Sequence, residues 1–121
     1  MEEQMTVIFR VLGASDWEET LRTGIVPPCG SDTRDGFIHL SAHGDVLQTA
    51  NLYFVPDEEP LVLEVQTSHL GTNLRWEPVP SRDNKEFPHL YAPGIPLDAV
   101  LATHSLDHQK DGFHWGIRYQ R

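Results

Sequence analysis

The chain has 121 residues, a hydrophobic share of 39% and a formal net charge of −9, which suits one domain over residues 1–121 around one core. No apolar run reaches the roughly 18 to 20 residues that cross a bilayer. Nor does a hydrophobic region follow the acidic start Met1-Glu2-Glu3-Gln4, so membrane span and secretory leader are both excluded and a soluble cytoplasmic protein is expected. One cysteine, Cys29, excludes an internal disulfide framework and a cysteine-cluster zinc site. The negative charge speaks against nonspecific nucleic-acid binding but leaves room for a local anion site built from one or two arginines.

Thr6 to Leu12 is rich in β-branched and aromatic residues and ends at Gly13, which predicts a first strand. Val7, Phe9 and Val11 share one face, and Ile8, Arg10 and Leu12 the other. Arg10 is then a charge set into an apolar strand: an edge gatekeeper or snorkelling side chain on the structural reading, a cation at a cleft on the functional one. Ser15-Asp16-Trp17-Glu18 reads as a capping box with Ser15 as N-cap. Trp17 and Leu21 would line the inner face of the helix that follows, and Gly24 would stop it. Residues 25–35 read as a long exposed loop, of the kind that covers ligands.

Gly36 to Leu40 predicts a short strand, with Phe37 and His39 on one face and Ile38 and Leu40 on the other. Ser41 is the expected N-cap of a helix over 42–54, whose apolar face is Val46, Leu47, Ala50, Tyr53 and Phe54. His39 would therefore sit just before a helix N-terminus, where free N–H groups and the dipole favour an anion. Leu61 to Val65 predicts a central strand. Leu74 to Glu77 predicts a short one stopped by Pro78, with Arg75 and Glu77 on one side. Phe87-Pro88-His89-Leu90-Tyr91 reads as a proline-anchored loop, Ala99 to Thr103 as a strand, and Phe113 to Tyr119 as a last one. Strands outnumber helices, so the expected class is α+β: a curved, split, largely antiparallel sheet with two main helices.

The sequence has no Gly-rich phosphate loop, no Gly-x-Ser-x-Gly elbow and no His-Glu-x-x-His helix. What stands out is a set of polar residues in apolar or aromatic settings: Arg10, His39, Glu77 and His89. Each has a structural alternative, a carbonyl-bonded histidine or a Glu77–Arg75 pair, but four in one small domain point to a lined cleft. A divalent metal held by His39, His89 and Glu77 uses ligands that zinc accepts, yet the three lack any short ligand spacing, and no metal is expected.

The phrases Gly36-Phe37-Ile38-His39-Leu40-Ser41, Leu74-Arg75-Trp76-Glu77 and Phe87-Pro88-His89-Leu90-Tyr91 closely resemble the family called domain of unknown function 952. Arg10 in the first strand, Trp17 before Gly24, and Tyr53-Phe54 fit it as well. The resemblance runs over about residues 7–100. That family in turn looks like a remote relative of the ADP-ribosyltransferase-like superfamily, whose split, curved sheets surround an NAD cleft. The resemblance implies catalytic roles for Glu77, His39 and His89 and ligand contacts from Arg10, His39, Ser41 and Tyr91, with NAD as tentative cofactor. Two functions follow from it: an NAD- or ADP-ribose-using transferase or hydrolase, or a non-catalytic binding domain for a nucleotide or other small anionic ligand. Fold alone does not choose between them.

Overall fold

The structure, a computed structural model, describes residues 6–121; the acidic start lies outside the described residues. Strand β1 (Val7–Leu12) leads into helix α1 (Ala14–Thr23), followed by β2 (Ile25–Val26), helix α2 (Gly30–Asp35) and β3 (Ile38–His39). Helix α3 (Val46–Tyr53) comes next, then β4 (Leu61–Gln66), β5 (Leu74–Val79), β6 (Lys85–Leu90), β7 (Ile95–Pro96), β8 (Val100–Gln109) and β9 (Gly112–Gln120). The strands form a four-stranded sheet in the order β1-β4-β8-β9, a three-stranded sheet β3-β6-β5 and a short β2–β7 ribbon, every pairing antiparallel. Among the described residues no helix is long and apolar enough to cross a membrane. The α+β class with a split antiparallel sheet is therefore as expected.

The alternation of β1 explains how the layers stack. Ile8 and Leu12 enter a core shared with Leu63 and Val65 of β4, Ile38 and Leu90 of the second sheet, and Val26 and Ile95 of the ribbon. Phe9 and Val11 enter the other, with Val62, Phe113, and Val46 and Ala50 of α3. One face of the larger sheet thus carries α3 and the other carries the smaller sheet. β4, with neighbours on both edges and apolar side chains on both faces, is the central strand that its composition predicts.

Several expectations change. Helix α1 begins at Ala14 with Gly13 as N-cap and no side-chain cap bond, so Ser15 lies inside the first turn. Leu21 is 53% exposed; Thr20 takes the inner face instead, fully buried, its hydroxyl donating to the Asp16 carbonyl at 2.8 Å. Gly24 does stop the helix, at φ +84°, its N–H bonded to the Thr20 carbonyl. The expected loop contains α2: the Asp32 carboxylate accepts the Cys29 N–H at 2.8 Å, a cap at the start, and Gly36 at φ +85° ends the helix. Ser41 caps nothing, because its N–H and C=O exchange hydrogen bonds of 2.8 Å with Phe9 of β1. That bridge holds the chain extended, and α3 starts only at Val46, after a 3-10 turn over His43–Asp45. β5 runs through Pro78, which an edge strand tolerates. Phe87 to Leu90 belong to β6, the middle strand of its sheet, rather than to a loop. Pro88 fits there because its carbonyl, on the same side as its missing N–H, accepts the Leu40 N–H at 3.1 Å where β3 is ending.

Candidate functional site

A cleft of about 510 Å³ is walled by β1, α2, β3, α3 and the turn between β5 and β6. Its lining includes Arg10, Cys29, Arg34, Asp35, His39, Ser41, Tyr53, Arg82 and His89. The register explains why the two histidines meet. β3 pairs with β6 with His39 directly opposite His89, and their rings stand 5.8 Å apart in an edge contact. Phe37 lies on the same face of its segment as His39 and stacks on the His89 ring at 3.9 Å. The alternation expected across Gly36 to Leu40 is present, since Ile38 and Leu40 turn into the core.

His89 is 4% exposed, and its Nδ1 meets Glu77 Oε1 at 2.8 Å. The Tyr91 hydroxyl donates to the same oxygen at 2.6 Å. A carboxylate only accepts, so Nδ1 donates this bond, and in the tautomer it selects Nε2 is the basic nitrogen. Nε2 has no partner among the described residues. The Tyr91 and His89 bonds hold the Glu77 carboxyl below its ordinary value, and the same carboxylate pushes the Tyr91 phenol up. Glu77 and Tyr91 stand behind His89 and are not on the cleft wall; the Arg75 guanidinium lies 5.5 Å from the Tyr91 ring centre.

His39 is held differently. Its Nδ1 meets Asp32 Oδ1 at 2.7 Å and its Nε2 meets Asp35 Oδ2 at 2.9 Å. Both ring nitrogens are engaged, so a ligand reaching His39 must displace a carboxylate. Asp32, 2% exposed, is the residue that sequence reasoning missed. Its carboxylate takes both terminal nitrogens of Arg10, at 3.2 and 2.6 Å, the N–H groups of Cys29 and His39, and the His39 ring. Burial raises the Asp32 carboxyl, but His39 and Arg10 outweigh it and the net shift is well downward. Asp35 falls to about 2, through the Arg34 hydrogen bond first and the His39 contact second.

Arg10 is buried as well, its third bond going to the His39 carbonyl at 2.8 Å, while Nε has no partner among the described residues. It is thus neither a snorkelling gatekeeper nor a free cation, but one half of a buried ion pair beneath the cleft floor. Ser41 contributes a hydroxyl 3.2 Å from that of Thr49. Of the residues singled out in the sequence, Arg10, His39, Ser41 and His89 converge on the cleft, with Glu77 and Tyr91 one hydrogen bond removed. Asp35, Tyr53 and Arg82 add to its lining, and the buried Asp32 holds Arg10 and His39 from beneath. The Cys29-x-x-Asp32 spacing with Gly36 to follow was a readable helix signal, although cysteine is an uncommon cap.

The profile of the family described as Protein of unknown function (DUF952) matches residues 11–103. The chain belongs to the DUF952 family. This DUF952 domain is similar in structure to protein CC0527 from Caulobacter crescentus: the crystal structure has 32% sequence identity and a TM-score of 0.80, covering 89% of this chain and 92% of that one. The solution structure of the same protein gives 33% identity and a TM-score of 0.74, over 90% and 91% of the two chains. A crystal structure of a double mutant of CC0527 gives 31% and 0.79, over 89% and 92%. No curated protein matches the DUF952 domain.

Proposed function

We propose that the cleft binds a nucleotide or similar small anionic ligand, with His89 as its proton carrier. One observation supports this most: the Glu77 carboxylate holds His89 Nδ1 at 2.8 Å, which leaves Nε2 as the acting nitrogen of a ring on the cleft wall. About 510 Å³ falls in the usual range of roughly 300 to 1,000 Å³ for small-molecule sites. Arg82 supplies positive charge on the wall, where Arg34 is paired with Asp35, and Tyr53 an aromatic surface. Arg10, its terminal nitrogens held by Asp32, serves this reading by fixing the floor, and His39 serves as wall.

A second reading makes the domain an NAD- or ADP-ribose-using transferase or hydrolase, and the split antiparallel sheet around the cleft favours it. Breaking a nicotinamide–ribose bond develops positive charge on the sugar. Asp16, Asp35 and Glu58 put carboxylates on the wall to offset such a charge, while Glu77 would act through His89. Titration calorimetry with NAD, ADP-ribose and AMP tests both readings. We expect micromolar to millimolar binding to the native domain and a loss of about tenfold in His89→Gln, the size of one hydrogen bond. No binding of any of the three at millimolar concentration rejects the proposal; binding of NAD with release of nicotinamide decides for the enzyme.

A further inference from the structure

We propose that Arg82 is the anion-recognising residue of this cleft, and that its ligand is a phosphate monoester of a polyhydroxylated group, such as a sugar phosphate or a nucleoside monophosphate. The inference rests on the reading above that the cleft is a ligand site, and adds which chemistry it selects.

Three arginines line the wall, and their partners separate them. Arg10 is paired with Asp32 and Arg34 with Asp35. Arg82 has no carboxylate partner among the described residues. Its Nη2 donates to Gln48 Oε1 at 2.7 Å, and both terminal nitrogens reach Thr49 Oγ1 at 3.4 Å. Its guanidinium also lies 4.5 Å from the centre of the Phe87 ring. Neutral partners on α3 and an aromatic face on β6 fix the side chain without neutralising it. Binding an anion therefore costs little further ordering. A guanidinium has five N–H donors in a planar fork, and none of these three bonds uses Nε. Such a fork matches two phosphate oxygens at once.

Hydroxyls stand beside it. Thr49 Oγ1 is 3.2 Å from Ser41 Oγ, and both residues line the cleft, as does Ser81. Hydroxyl donors next to an arginine suit a tetrahedral oxyanion better than a planar carboxylate, which the fork alone would satisfy. The rest of the wall limits the charge that can be taken. Asp16 and Glu58 also line the cleft, and neither is in a salt bridge among the described residues. One uncompensated arginine against two such carboxylates disfavours a polyphosphate. Carboxylates do accept from sugar hydroxyls. A single phosphate at Arg82 and a hydroxylated body along the wall towards His89 meets both conditions.

The test is a two-dimensional NMR titration of the native domain with AMP, ribose 5-phosphate and inorganic phosphate, and with adenosine and ribose as unphosphorylated controls. We expect the phosphorylated ligands to bind about tenfold or more tightly than their controls, consistent with one bidentate arginine–phosphate contact. Arg82→Gln should bring AMP down to the level of adenosine, and Arg82→Lys should fall between, since lysine keeps the charge and loses the fork. Arg22→Gln removes the same charge from the outer side of α1 and should leave binding unchanged. Equal affinity for AMP and adenosine, or AMP binding indifferent to Arg82→Gln and Arg82→Lys, overturns this inference and leaves the cleft reading standing. If no probe binds, this inference falls, and the cleft reading falls with it when NAD and ADP-ribose also fail to bind. AMP binding without ribose 5-phosphate binding assigns the body to a nucleoside, and the reverse assigns it to a sugar.

Discussion

Asp32 accepts from Arg10, from the Cys29 and His39 backbone and from the His39 ring, and together these donors satisfy the carboxylate that burial would otherwise strand. Removing it leaves the Arg10 guanidinium charged and unpaired in a dry setting. Asp32→Ala should lower unfolding stability by about 3 to 5 kcal/mol in urea denaturation, the range for breaking a buried pair. A loss below about 1 kcal/mol, as for an exposed pair, would contradict this account. Stability should also depend on acid. The Asp32 and Asp35 carboxyls are depressed in the folded chain, Asp35 to about 2, against 3.8 for the free group. Below about pH 4 the unfolded chain takes up protons that the native one refuses, so stability present above that pH is lost as pH falls towards 2 and below. Denaturation midpoints at pH 6, 4 and 2.5 should fall in that order at the acid end. In Asp32→Asn the drop should be smaller.

At the scale of elements, turns decide where strands and helices may go. The β8–β9 hairpin turns at Gly112, φ +122°, where an added Cβ would meet Asn51 Oδ1 at 2.6 Å. That same oxygen accepts the Phe113 N–H at 2.8 Å and ties α3 to β9. Gly112→Ala therefore combines a disfavoured backbone region with the loss of an interelement bond, and should cost about 2 kcal/mol, by the sum of a positive-φ penalty and one hydrogen bond. Gly30→Ala is the contrast. Gly30 opens α2 with nothing within 4 Å of the would-be Cβ, so alanine there should be neutral or raise stability slightly. Thermal unfolding of the two variants side by side checks both. The same logic explains α3: Ser41 is drawn into a bridge with Phe9, and a residue bonded on both backbone groups to a strand is not available as a helix cap.

Of the two cores, the one that both sheets share joins them into one unit. Leu63 of β4, fully buried, packs in the cluster that includes Ile38 and Leu90 of the smaller sheet. Leu63→Ala should cost about 2 to 5 kcal/mol, the range for deleting a buried leucine side chain. The loss should appear equally in both sheets, because neither buries its apolar face alone. Fluorescence of variants keeping only Trp76 on β5 or only Trp115 on β9 should give the same unfolding midpoint. Separate midpoints would mean that the sheets unfold as separate units.

Local pattern settled much of this. Period-two alternation placed Ile8 and Leu12 against Phe9 and Val11 and paired Phe37 with His39 on one face, since side chains alternate whatever the surroundings, and apolar content marked β4 as central. Gly24 was legible as a helix stop because a positive φ is a property of one residue. The histidine phrases were legible as polar residues in apolar surroundings, which need partners. Which partners was decided only by the fold. Arg10 was read as a candidate ligand contact and is bonded to a carboxylate 22 residues away, within a stretch that reads as a loop. His39 and His89 differ in availability because Asp32 and Asp35 face both nitrogens of one ring and Glu77 a single nitrogen of the other, a difference that packing decides. Backbone conformation and facing follow from short-range sterics, which adjacent residues carry. The state of a buried charge depends on which distant donors and acceptors packing brings within 3 Å or so, and that is a property of the tertiary structure alone.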